Sequence, residues 1–344
     1  MKRRRSTAFI AAFGGGAAFM VAALIFLLVI GRPPLATLGQ MVLSAFGDFY
    51  SLSESLVKAT PILLCALATI LPARLGLISV GGEGQLYFGA LTGTAVVIAD
   101  PQAPFFLLLP AMLAAGALGG AFWSGAAGWL RARCNVNETI STLLMNYIAV
   151  LLVNYAVYGA WKDPASLGWP ASIAFPPAAT VPSLFGTRVH LGLPVGMIAA
   201  VVLHVGVTHT RWGIALKVLS GNRKVGAMAG FSFLRQTLLV MALGGALAGF
   251  AGICETSAIQ GRLQAGVSVG YGLTGFLVAW LSGQHFLRAI PIAVLIGGLI
   301  AAGDALQLTS KIPSASATVL QGLLFVSALA ATGLAGQRIA RHDR

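Results

Sequence analysis

Phe9-Ile-Ala-Ala-Phe-Gly-Gly-Gly-Ala-Ala-Phe-Met-Val-Ala-Ala-Leu-Ile-Phe-Leu-Leu-Val-Ile30 is an unbroken run of 22 apolar or glycine residues that follows the basic cluster Met1 to Arg5. A helix of that length reaches across a hydrocarbon core of about 30 Å. No small-residue cleavage site closes the run, so it reads as a retained membrane helix and not as a secretory leader. Similar runs recur along the chain. Only 9% of residues are charged and 57% are hydrophobic, whereas water-soluble domains carry about 25% charged residues. Lipid, not water, is the solvent for such a surface.

Further spans are read at Leu56 to Leu71, Glu83 to Ala99, Phe105 to Leu130, Thr139 to Gly159, Leu191 to Thr208, Leu234 to Thr256, Tyr271 to Ser282, Ala289 to Leu306 and Ser316 to Ala335. The fold class is therefore an all-α polytopic membrane protein of about ten transmembrane helices, forming one domain over residues 1–344. Several stretches fall short of the roughly 20 residues that a straight span needs, notably the one after Tyr271, so some helices are expected to be broken or re-entrant. The 43 glycines suit a bundle whose helices approach closely.

The net charge of +13 raises the question of a nucleic-acid partner. The basic residues instead sit between apolar runs and at both ends, with no basic stretch interleaved with aromatics, so no nucleic acid is expected. With the amino terminus cytoplasmic and every stretch crossing, sixteen of the 22 Lys and Arg fall inside, among them Lys2 to Arg5, Arg74, Arg131, Arg133, Lys217, Arg288 and Arg338 to Arg344. Arg32, Lys58, Lys162, Arg188, Arg262 and Lys311 fall outside. This asymmetry places both termini in the cytoplasm. The loop over 160–190, with Trp161, Trp169 and five prolines, then lies outside.

Leu75-Gly-Leu-Ile-Ser-Val-Gly-Gly-Glu-Gly-Gln85 sets a carboxylate and an amide among glycines between two spans. Two readings of Glu83 stand: a cap at a helix start, or a lining residue of a permeation path. Val267-Ser-Val-Gly-Tyr-Gly272 echoes Ile78-Ser-Val-Gly81 and likewise opens a helix. The two copies are expected on opposite sides of the membrane, the pattern an inverted repeat would produce. Asn146, Tyr147 and Asn154 share one apolar span, where polar side chains either bond across helices or face a wet cavity. Cys65, Cys134 and Cys254 are isolated and read as packing residues. The cytoplasmic stretch 210–232 includes Ser220-Gly-Asn-Arg-Lys-Val-Gly-Ala-Met-Ala-Gly-Phe231, which reads as a short surface helix in contact with membrane lipid.

Absences narrow the function. There is no Gly-x-x-x-x-Gly-Lys-Ser/Thr loop and no His-Glu-x-x-His. An enzyme is not expected, and neither a cofactor nor a metal is implied. The remaining class is transport, and from the residues alone an ion-coupled secondary transporter stays open.

The chain resembles permease subunits of ATP-binding cassette importers, in the group shared by ribose-type sugar and branched-chain amino-acid permeases, and within it the nucleoside permeases. The motifs that carry this are Gly76-Leu-Ile-Ser-Val-Gly-Gly-Glu-Gly-Gln85, Val136-Asn-Glu-Thr-Ile-Ser-Thr-Leu-Leu-Met-Asn-Tyr147, Gly221-Asn-Arg-Lys-Val-Gly-Ala-Met-Ala-Gly230, Ser257 to Tyr271 with Gln260-Gly-Arg, and Gln321-Gly-Leu. The usual family wording of the first is Gly-Leu-Ile-Asn-Ile-Gly-Gly-Glu-Gly-Gln, from which Ser79 and Val80 depart. The resemblance implies import of nucleosides, with a simple sugar or another small metabolite as the alternative. It also implies a second, paralogous permease subunit, a cytoplasmic ATPase with two nucleotide-binding domains, and an extracytoplasmic substrate-binding lipoprotein. Glu83, Gln85, Asn146 and Tyr147 would line the substrate pathway. Gly221, Asn222, Arg223, Lys224, Gly226, Ala227, Met228 and Gly230 would form the helix that docks on the ATPase, a role that replaces the lipid contact read from amphipathicity.

Overall fold

The computed structural model describes residues 2–184, 186–310, 313 and 315–342, with side chains described from 14 onward and as far as 333. Lys2 to Arg5, Lys311, Arg338, Arg341 and Arg344, which entered the charge count, lie outside the described residues or side chains. The described chain is helical, with isolated β-bridges but no strand. Its helices are α1 (Lys2–Val29), α2 (Pro34–Phe46), α3 (Phe49–Ala73), α4 (Gly82–Ala99), α5 (Phe105–Cys134), α6 (Glu138–Tyr158), α7 (Gly192–His209), α8 (Arg211–Gly221), α9 (Arg223–Met228), α10 (Phe233–Cys254), α11 (Tyr271–Leu281), α12 (Phe286–Ser310) and α13 (Ala315–His342). A π-helix over Glu255–Gln260 extends α10.

Among the described residues, α3, α5, α6, α7, α10 with its extension, and α12 are each long and apolar enough to cross a membrane. α1 and α2 together make a seventh such element, bent by 111°. The bend follows from Gly31-Arg-Pro-Pro34: Gly31 takes a left-handed φ of 75°, and neither proline has an N–H with which to continue the ladder. Each of the ten stretches read from the sequence is helical, but α11 and the apolar part of α13 are shorter than a span. Glu83 and Gln85 in its first turn dilute the hydropathy of α4. α2 and α8 are helices the hydropathy reading passed over.

The chain divides into two compact units, Met1–Lys58 with Val294–Arg344, and Ala59–Ala293. In the first, Ala23, Met41, Ala45, Ala302, Leu306 and Leu320 form a buried core. The Ser55 hydroxyl donates to the Ala45 carbonyl at 2.7 Å, and Lys58 pairs with Asp304 at 3.2 Å.

The second unit is organised by glycine-to-glycine contact among α4, α5 and α10. A Cβ placed on Gly89 would overlap the Gly249 backbone, and one on Gly249 would overlap the Gly116 carbonyl and lie 2.8 Å from the Gly120 Cα. Gly252 meets the Leu86 carbonyl in the same way. Membrane helices gain little from hydrophobicity against one another, so such close approach supplies the dispersion contact that holds them. At one end of this trio the 160–190 loop is seated, not loose. Phe175, Ala179 and Val181 join the core of Leu108, Met112, Ile253 and Cys254. The Ser257 hydroxyl donates to the Ala179 carbonyl at 2.6 Å, and the Ser172 and Phe175 amides donate to the Leu263 and Gly261 carbonyls. Cys65 and Cys254 are buried as expected of packing residues; Cys134, at the end of α5, is exposed.

Candidate functional site

Residues 77–80 belong to neither helix nor strand, so most of their backbone groups need side chains to bond. α6 supplies them. Its Glu138, Thr142 and Asn146 are spaced four apart and share one face. Glu138 Oε1 accepts from the Ile78 amide at 3.2 Å and Thr142 Oγ1 from the Val80 amide at 3.2 Å. Asn146 Oδ1 accepts from the Gly84 amide while its Nδ2 donates to the Val80 carbonyl, both at 2.8 Å. Asn146 thereby caps α4, whose own N-cap position, Gly81, has no side chain to do so. The glycines are required by the approach: a Cβ on Gly84 would stand 2.9 Å from the Asn146 Cα, and one on Gly81 3.0 Å from the Thr142 Cβ. Arg131 pairs with Glu138 at 2.9 Å and fixes the foot of this ladder.

Glu83 does for α11 what Asn146 does for α4. Its Oε2 accepts from the Gly272 amide at 2.7 Å, and the Gly270 and Leu273 amides and the Ser268 side chain also surround the carboxylate. Gly270, with a left-handed φ of 89°, turns the chain into α11. The Ser268 hydroxyl accepts from the Tyr271 amide at 2.9 Å. A Cβ on Gly272 would lie 2.5 Å from the Gly82 carbonyl carbon, so the starts of α4 and α11 touch. From there α4 leads to Ala99, while α11 passes Cys65 and Ala66 of α3 through Gly275, and just beyond its end the Arg74 side chain donates to the Gln284 carbonyl. The two echoing stretches, expected on opposite sides, are thus brought together. Each is an irregular lead-in to a helix, and the two helix starts meet. Both positive dipole ends face one carboxylate.

Gln85, one turn along α4, is 2% exposed. Its Nε2 donates to the Ser124 hydroxyl at 3.1 Å, and its Oε1 is buried without a protein partner. Beside it Phe88 stacks on Trp123 with ring centres 4.3 Å apart. The structure therefore gathers Glu83, Gln85 and Asn146. Tyr147 is not with them: it is 65% exposed on another face of α6. Glu138, Thr142, Ser268 and Gly272 went unassigned in the sequence reading, although the four-residue spacing of Glu138, Thr142 and Asn146 was the signal for the ladder. No group of three or more His, Cys, Asp or Glu suited to a metal occurs among the described residues.

These bonds give Glu83→Gln a defined expectation. One acceptor oxygen survives but the charge is lost, which at a helix start costs about 0.3 to 1 kcal/mol. The variant should therefore fold and bind its ATPase. Uptake should fall about ten-fold or more if the carboxylate serves the pathway. Wild-type uptake by vesicles carrying the variant would return Glu83 to a capping role alone.

The 210–232 stretch forms α8 and the six-residue α9. Asn222 Oδ1 caps α9, accepting from the Lys224 amide at 2.9 Å and the Val225 amide at 3.3 Å. Arg223 lies 3.8 Å above the Phe233 ring. Gly226 turns inward, where a Cβ would meet the Leu219 side chain, and so it belongs to the support of the helix. Val225, Ala227 and Met228 face out, Met228 being 88% exposed, and Gly221 and Gly230 are open. At the end of α8, the Ser220 side chain sits against Gly76, where a Cβ would lie 3.0 Å from its hydroxyl. Gly76 opens the lead-in to Glu83.

Several helices long and apolar enough to cross a membrane, with two short helices whose starts meet among them, suit a polytopic transport protein. Residues 51–329 match the family described as "Branched-chain amino acid transport system / permease component", and the chain belongs to it. The protein is a multi-pass membrane permease subunit of an ATP-binding cassette importer. Glucose ABC transporter permease protein TsgB13 of Haloferax volcanii is 33% identical, over 87% of this chain and 81% of its own. Guanosine ABC transporter permease protein NupP of Bacillus subtilis is 31% identical over 78% of each chain. Nucleoside ABC transporter permease protein NupB of Lactococcus lactis is 27% identical, over 82% of this chain and 78% of its own. Permeases of this family work with an ATPase and a substrate-binding protein.

Proposed function

We propose that this chain forms the path by which nucleosides cross the membrane, paired with a second, paralogous permease. An extracytoplasmic lipoprotein would deliver the substrate, and an ATPase with two nucleotide-binding domains would drive the cycle. The observation that carries the reading is the cluster at 81–85. A nucleoside is polar at its ribose and aromatic at its base, and Glu83 with Gln85 sits beside the stacked Phe88 and Trp123. The printed names of NupP and NupB support the same substrate class. That of TsgB13 favours a sugar as the second reading. ATP-dependent uptake of labelled adenosine by vesicles holding the assembled transporter decides between them. Competition by other nucleosides and not by glucose is expected; uptake of labelled glucose with none of adenosine would make the chain a sugar permease.

The proposed arrangement treats residues 1–344 as one transmembrane domain of about ten crossings, with both termini and 210–232 cytoplasmic and 160–190 outside. Loop charge supports it. Leu167 is fully exposed in the outer loop and Lys217 is exposed on α8, so both report cleanly on sidedness. In a chain whose exposed Cys134 is replaced by serine, Leu167→Cys should react with an impermeant thiol reagent applied to intact cells. Lys217→Cys should not react until the membrane is opened. The reverse pattern would invert the topology.

A further inference from the structure

The turn between α11 and α12 gathers basic side chains. Gly283 and Gln284 both take a left-handed φ, of 63° and 59°, and the bend holds the Gln284 carbonyl against the Arg74 side chain just beyond α3. Arg74 also covers the Phe286 ring, 5.4 Å from its centre, while its Nε is buried without a protein partner. His285 and Arg288 are exposed and three residues apart, so they share a face at the start of α12. His204 of α7 joins them. Partial burial, together with the neighbouring Arg288, Arg74 and His204, holds the His285 imidazole below its ordinary range. No carboxylate among the described residues pairs with any of these four side chains. Nor does α12 carry an acid in its first turn, where the helix dipole already disfavours cations.

Basic groups crowded on a positive helix end call for an anion from outside the chain. A soluble phosphate, an acidic side chain of the ATPase and a lipid headgroup compete for the place. Depth and surroundings select the last. His204 lies five residues before the end of α7, about 7.5 Å inside it, where a subunit resting on the membrane face does not reach. Val201, one turn deeper on the same face of α7, is 50% exposed, and Leu287, between His285 and Arg288, is 40% exposed. A soluble anion leaves both uncovered, whereas a phospholipid covers them with its own chains. A zwitterionic headgroup would bring a further cation to the cluster, so an anionic one is preferred. We propose that Arg74, His204, His285 and Arg288 hold the phosphate of an anionic phospholipid whose acyl chains lie against α7 and the start of α12. Loop charge puts this end of the bundle at the cytoplasmic leaflet, where basic pockets between helices suit such headgroups.

The test measures retention of labelled phosphatidylglycerol on the full chain, held on an affinity resin in a mild detergent. Phosphatidylglycerol should bind about ten-fold more tightly than phosphatidylcholine. Arg288→Glu should lower phosphatidylglycerol binding about ten-fold and leave phosphatidylcholine binding unchanged, because it replaces an attraction by a repulsion. An acid suits a helix start, so this variant keeps its fold, and Arg288→Lys should bind nearly as the wild type does. Lys217→Glu, the same charge change at an exposed position of α8, should also bind like wild type. Equal binding of the two lipids by the wild type would overturn the proposal, as would an Arg288→Glu variant that binds like wild type or loses no more than Lys217→Glu. Displacement of the lipid by inorganic phosphate, but not by chloride at the same ionic strength, would assign the cluster to a soluble anion. Unchanged lipid binding by Arg288→Glu with loss of the ATPase from the purified transporter would assign it to that subunit instead.

Discussion

Gly249→Leu is expected to leave almost no folded protein in the membrane. The substituted side chain would start inside the Gly116 carbonyl and 2.8 Å from the Gly120 Cα, and α4 closes the remaining side through Gly89. Every obstacle is backbone, so no rotamer change relieves it. α10 must back away from both neighbours, breaking the matching contacts of Gly245 with Gly120 and of Gly252 with Leu86. Inserting extra methylenes into a well-packed core costs about 1 to 3 kcal/mol even where side chains can shift, and here only backbone could move. Gly125→Leu on α5 is the control, because a Cβ there meets nothing within 4 Å. Size-exclusion profiles of the two variants in mild detergent separate the cases: a monodisperse peak for Gly125→Leu and none for Gly249→Leu. A normal profile for Gly249→Leu would mean that the three helices do not touch.

Ala227→Glu should abolish substrate-stimulated ATP hydrolysis and uptake together while the chain still inserts and still pairs with a second permease. A chain without a phosphate loop responds to ATP only through an element whose position a partner biases. α9 offers the exposed Val225, Ala227 and Met228 for that contact and rests on Leu219 through Gly226. If α9 docks on the ATPase, α8 would carry displacement through Ser220 to Gly76 and the lead-in to Glu83. Ala227 is exposed in the isolated chain, so a carboxylate there spares the fold and strikes the docking face. Coupling between sites is typically worth about 1 to 3 kcal/mol, so its loss should lower uptake at least about ten-fold. If α9 instead serves lipid, neutralising Arg223 and Lys224 would weaken surface association and Ala227→Glu would transport normally. Normal coupled transport by that variant would reject α9 as the docking helix.

Hydropathy made most helices legible. α3, α5, α6, α7, α10 and α12 are long apolar stretches that no soluble fold would tolerate. α2 escaped because Pro33 and Pro34 mimic a loop and Thr37, Gly39 and Gln40 thin its apolar face. α8 escaped because Arg211, Trp212 and Lys217 resemble a cytoplasmic linker. In the site, Glu83, Gln85 and Asn146 each stood out as polar groups among apolar neighbours. Their meeting did not, because what joins them is largely backbone: the amides of Ile78, Val80, Gly84 and Gly272 carry no side-chain signal. The inward turn of Gly226 was illegible for a similar reason, since a run of small residues does not reveal which of them is the support and which the face.

The Glu83 bond to Gly272 joins residues 189 positions apart. At the usual pace of about 5 to 20 residues per second, a ribosome needs roughly 10 to 40 s to reach the second partner after making the first. During that interval α4 already sits in or beside the bilayer with its carboxylate lacking the α11 amides that will surround it, a state costly in hydrocarbon. The early helices must therefore wait in a half-assembled form, sheltered by the insertion machinery or by water at the membrane surface.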